Sequence, residues 1–127
     1  MVHALFSKYW TPNALSVATT GGGGFVTAAA QVADDRSYVV VELANAEWGA
    51  APGSASVSVS GFSPAAVVDF FLIAEPGSGA VNSTAGNTPA QPDYIKAVHS
   101  TLVWPASGQL AVALPPLSVA LLVLHAA

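Results

Sequence analysis

Three histidines, seven carboxylates, three tryptophans and a scatter of serines are the side chains in this 127-residue chain with the reactivity or the shape to do chemistry. Imidazoles can ligate a metal. His3, His99 and His125, however, stand in no H-x-H or H-x-x-x-H spacing, and they read as unclustered. His125 reads as a solvated residue. There is no cysteine, so disulfides, thiolate-bound zinc and thiol nucleophiles are excluded. A serine nucleophile needs a strained turn to present it, and no serine lies in a G-x-S-x-G elbow. Acid–base hydrolysis by paired carboxylates needs two acids facing each other across a cleft, about 5–10 Å apart. Asp34 and Asp35 are neighbours in a turn, and Glu42 and Asp69 are isolated in apolar runs. Asp69, set among Val67, Val68, Phe70 and Phe71, is the least comfortable acid, and an edge or interface position would accommodate it. The run Gly21–Gly24 lacks the Lys-Ser/Thr and helix of a phosphate loop and reads as a connector. The expectation is no catalytic residue, no metal and no cofactor.

The tryptophans divide by context. Trp48 lies in NAEWGAAPGS, a loop by its Gly, Pro and Asn content, where an exposed ring could stack on a sugar. Trp10 and Trp104 read as core or interface residues. Asn82-Ser83-Thr84 fits a glycosylation acceptor, relevant only to a protein secreted by a eukaryote.

Composition limits the partners. Hydrophobic residues make up 53% of the chain and charged residues 8%, against a usual charged share of about 25%. Net charge is −4, and Lys8, Arg36 and Lys96 are the only Lys or Arg residues. Nucleic-acid binding requires clustered cations to displace counterions, which these cannot provide. No apolar run approaches the roughly 18 residues of a membrane span. MVHALFSKYW has neither the basic start nor the cleavage site of a signal peptide. So little charge also suggests that one face is normally covered.

The elements follow from the same residues. Residues 1–127 read as one domain, a helical lead-in over 1–13 and a sandwich over 14–127. Val2, Leu5, Phe6, Tyr9 and Trp10 have the spacing of a short amphipathic helix, too short to be stable undocked. Leu15-Ser16-Val17 suits a short strand. Phe25 to Val32, the turn Asp34 to Ser37, and Tyr38 to Ala44 predict a hairpin. Ala55 to Gly61 alternates Val with Ser, as in a strand with one wet face. Val67 to Ala74 and Tyr94 to Trp104 are further strands, separated by a long irregular segment. In LAVALPPLSVALLVL two apolar runs flank Pro115-Pro116, and since proline suits neither helix nor ladder, this is two buried strands meeting at a corner. The reading is all-β: an antiparallel sandwich of seven or eight strands, Greek-key or jelly-roll-like, with one short N-terminal helix.

Asn87-Thr88, Pro92-Asp93 and Leu114-Pro115-Pro116-x-Ser118-Val119 resemble the C-terminal β-sandwich of α-L-arabinofuranosidases among the clan-A glycoside hydrolases. HALFSKYW is similar to the helix that leads from their catalytic barrel into that sandwich. The sequence departs from the family at Pro89, where an aromatic is usual. The family's catalytic glutamates belong to a barrel, and no position here matches them. The resemblance implies a non-catalytic accessory domain whose partner is a (β/α) barrel. A homo-oligomer through an apolar face that includes Leu5, Phe6 and Trp10 is a second way to cover that face. A free-standing module that binds polysaccharide through Trp48 and the Glu75–Asp93 loop, and an interaction domain unrelated to sugars, are the alternatives.

Overall fold

The computed structural model describes residues 2–20, 26–46, 53–74, 88–90 and 95–127. The chain opens with a helix, α1 (Val2–Tyr9), followed by a two-residue strand, β1 (Asn13–Ala14). Next come β2 (Val26–Val32), β3 (Tyr38–Asn45), β4 (Gly53–Val57) and β5 (Pro64–Ile73). The last three are β6 (Ala97–Val103), β7 (Leu110–Leu114) and β8 (Ser118–Ala126). The described strands form a six-stranded antiparallel sheet in the order β1-β2-β3-β8-β5-β6 and a two-stranded ribbon, β4-β7. The chain therefore crosses from sheet to ribbon and back twice. This is the all-β sandwich expected.

Burial explains the arrangement. Val39, Val41 and Leu43 of β3, Val68 and Phe70 of β5, and Ala120, Leu122 and Leu124 of β8 meet Leu110, Val112 and Leu114 of β7 in the main core. Trp104 packs against its margin, as its core reading required. On the other face of the large sheet, Val40, Leu121 and Val123 form a second cluster, covered by Phe6 and Tyr9 of α1. Phe6 and Tyr9 lie three apart, on one side of the helix. Strand β8 is thus buried on both faces, which is why Ala120 to Leu124 runs apolar without alternation. Each leucine so enclosed contributes about 1.5–3 kcal/mol.

The corner at Pro115-Pro116 joins two strands, but only β8 is buried on both faces: in β7 Ala111 and Ala113 are exposed, and the two strands do not pair with each other. β7 pairs with β4, whereas β8 inserts between β3 and β5. Leu117 adopts a left-handed backbone (φ 51°), which lets the chain change layers within a few residues. The buried amide of Asn45, at the end of β3, donates from Nδ2 to the carbonyls of Leu114 (3.0 Å) and Pro115 (3.3 Å). It braces sheet against ribbon. Gly53 has no room for a side chain, since a Cβ there would lie 2.8 Å from Asn45 Nδ2.

The β2–β3 hairpin stands as expected, with Val32 paired to Val39. In its turn the Ser37 N–H donates to Asp35 Oδ1 at 3.0 Å, and the hydrogen bonds from Ser37 hold the Asp35 carboxyl below its ordinary range. The strand near the N-terminus is displaced from expectation. It is Asn13–Ala14, and Leu15 and Val17 are exposed. Asn13 is fixed by its side chain, which donates to the carbonyl of Val32 and to Asp34, and the chain leaves the sheet after Leu15 N bonds Ala30 O. The helix itself ends at Tyr9, ahead of Thr11-Pro12-Asn13. The Val/Ser strand stops at Val57, although its alternation continues: Val59 is half-buried, Ser58 and Ser60 exposed.

Candidate functional site

The chemistry-bearing side chains that the fold brings together lie on the outer face of the six-stranded sheet, beside α1. Successive side chains on a strand alternate between faces, so Asp69 and Phe71 share this face with Leu121 and Val123 of β8. Asp69 stands opposite Val123 on one neighbour and Thr101 on the other. His99 and His125 occupy positions diagonal to it, on either side. His99 Nε2 lies 2.8 Å from Asp69 Oδ1, and His125 Nε2 lies 2.8 Å from Asp69 Oδ2. Each imidazole donates to its own carboxylate oxygen with a proton on Nε2. The bond from His99, then that from His125, holds the Asp69 carboxyl below its ordinary range against the small opposing effect of burial.

This corrects three expectations. Two of the histidines are clustered. His125 is anchored rather than merely solvated. Asp69 sits on an interior strand rather than an edge, and two imidazoles on flanking strands satisfy it. Separations of 30 and 56 residues carry no local spacing signal. The one clue available was parity, because Asp69 and His99 fall on the same face once β5 and β6 are paired. The register across the long segment between them could not be read from residue types.

From His99 a line of aromatic contacts runs towards the helix. Its ring stacks on Phe71 (centroids 4.7 Å apart), Phe71 meets Tyr9 (6.0 Å), and Tyr9 meets Tyr38 edge-on (5.9 Å). Lys8 Nζ lies 5.1 Å from the centre of the Tyr9 ring. Trp10, just beyond α1, is 64% exposed, which excludes the core half of its core-or-interface reading. Val67 and Val103, paired across β5 and β6, are 56% and 73% exposed. Phe6 is half-buried against the outer cluster. Of the other expected contact residues, Trp48, most of the Glu75–Asp93 loop and the side chain of Leu5 lie outside the described residues. On the far side of α1, Phe6, Thr27, Ala29, Glu42, Ala44 and Val119 line a hollow of about 180 Å³.

The Asp69 cluster can bind and release protons and can tie three strands together. Among the described residues no group of three or more His, Cys, Asp or Glu converges to hold a metal ion. Among the described residues no helix is long and apolar enough to cross a membrane.

No family model matches the sequence, and no curated protein matches it. Solved structures do match the fold. A glycoside hydrolase family 51 α-L-arabinofuranosidase from Thermotoga petrophila superposes with a TM-score of 0.67 at 16% identity, over 80% of this chain and 19% of that one. A family 51 arabinofuranosidase from Xanthomonas axonopodis gives 0.61 at 26% identity, over 84% and 21%. A family 30 endoxylanase from Clostridium papyrosolvens gives 0.61 at 19% identity, over 95% and 26%. The resemblance read from the Asn87 to Val119 residues therefore holds for the fold, and the chain spans roughly a fifth of the arabinofuranosidases it matches.

Proposed function

We propose that this chain is the accessory β-sandwich of an arabinofuranosidase-like glycoside hydrolase, non-catalytic itself, which packs on and stabilises a catalytic barrel. The observation that carries this reading is the proportion of the match. Most of this chain aligns with only 19–21% of the arabinofuranosidase chains, so the remaining four-fifths of each has no counterpart here. The outer face of the six-stranded sheet supports it too. Trp10, Val67 and Val103 are large apolar side chains left in water there, beside a helix with the length of a lead-in. A barrel seated over α1 and the outer face on both sides of it would cover them.

Two measurements on purified proteins test the proposal. The chain alone should release nothing from a chromogenic α-L-arabinofuranoside. Added to the barrel encoded with it, the chain should raise the barrel's melting temperature and prolong its activity at elevated temperature. Hydrolysis by the chain alone, or a barrel indifferent to its presence, would reject the reading.

A further inference from the structure

Among the described residues, Glu42 is a carboxylate of the outer face with no balancing partner. It lies at the centre of the sheet, paired across β2 with Ala29 and across β8 with Leu121. Its neighbours along β3 on that face are Val40 and Ala44. Thr27 and the apolar side chains of Ala29, Ala44, Val119 and Phe6 wall the hollow it lines. Asp69 has two imidazoles, but Glu42 has no hydrogen bond or ion pair among the described residues. The chain has little to offer it. Lys8 is turned to the Tyr9 ring, the Arg36 guanidinium donates to the Gly61 carbonyl at 3.1 Å, and Lys96 precedes β6, three strands away.

We infer that the hollow receives a lysine or arginine side chain of the docked barrel, its aliphatic stem against Ala29, Ala44, Val119 and Phe6 and its cationic head on Glu42. The inference rests on the docking proposed above and names the contact that fixes its register. The chemistry is that of a long basic side chain, apolar along its stem and charged at its tip. The hollow's volume of about 180 Å³ suits one such side chain rather than a segment of backbone. Docking withdraws Glu42 from water, so a partner without a cation at this point would leave a desolvated charge, which penalises every other register. A second copy is the poorer occupant, since two of its three cations are engaged, Lys8 at the Tyr9 ring and Arg36 at the Gly61 carbonyl.

The test is calorimetric titration of the chain with the barrel encoded with it, for wild type, Glu42→Gln and Ala29→Leu. The first substitution removes the charge at constant shape. The second fills the hollow from an exposed strand position and leaves the charge. Each variant should bind about ten- to a hundredfold more weakly than wild type. The wild-type affinity should fall with added salt more steeply than that of Glu42→Gln. Wild type binding well with both variants unaffected would overturn the inference and leave the docking reading standing. No binding by wild type would overturn both. Self-association of the wild-type chain that Glu42→Gln abolishes would assign the hollow to a second copy and overturn the inference as stated.

Discussion

At the scale of single residues, two polar side chains make opposite predictions. Asp69 is held ionised by His99 and His125, so its carboxyl is depressed in the folded state. A depressed carboxyl stabilises the fold above its unfolded value, about 3.9, and that contribution is lost as pH falls through the folded value. Wild type should therefore lose melting temperature faster than Asp69→Asn as pH is lowered below about 4. Near neutral pH Asp69→Asn should cost only about 1 kcal/mol, because the cluster is partly in water. Thermal melts across an acid series decide it, and parallel curves for the two proteins would refute the assignment. Ser118 is the converse case. Its hydroxyl is buried and has no partner among the described residues. Ser118→Ala should therefore stabilise the protein by about 1 kcal/mol in a urea titration, since a buried unsatisfied hydroxyl carries a penalty that a hydrogen does not. Neither behaviour was legible in the sequence. Asp69 stood out as uncomfortable, but its relief came from strands 30 and 56 residues away.

At the scale of elements, the sequence predicted types better than places. The hairpin turn was readable because Asp34 to Ser37 carries its own geometry, and β8 because an apolar run of that length beside two prolines has few other uses. The corner's topology was not readable. Nothing in Pro115-Pro116 says that β7 joins the ribbon while β8 enters the sheet; the side chain of Asn45 and the left-handed backbone at Leu117 fix that, and each acts only in the assembled fold. The brace can be broken from either end. Asn45→Ala strands two carbonyls and should cost about 1–3 kcal/mol by chemical denaturation. Gly53→Ala, which forces a Cβ against the same amide, should also destabilise. Because both act on one contact, the double variant should fall short of the sum of the two. Strict additivity would show that the brace is not shared.

At the scale of the whole molecule, the two faces of the large sheet differ in kind. The inner face is closed against the ribbon by a contiguous core. Leu122→Ala, within that core, should cost about 2–5 kcal/mol. Val103→Thr, on the exposed outer face, should change stability by no more than about 0.5 kcal/mol in the isolated chain. The same Val103→Thr should weaken binding to the barrel, and that split between folding and docking is the signature of an interface residue. Sequence composition pointed to a covered face through its scarcity of charge; the outer face is the one proposed above, and its exposed Val67 and Val103 could be placed only from the pairing of strands. The order of strands has a further consequence, for synthesis rather than for stability. β1, β2 and β3 form one block, β5 and β6 another, and the described pairings join them through β8 alone. β8 is also the last of the described strands to leave the ribosome, whereas domains usually condense in the order of their synthesis. Until it emerges, the two blocks face water along the open edges of β3 and β5, which are the edges most liable to pair with another chain. The nascent domain is therefore most exposed to misassembly in the interval before β8 emerges, and that exposure should end when β8 is released.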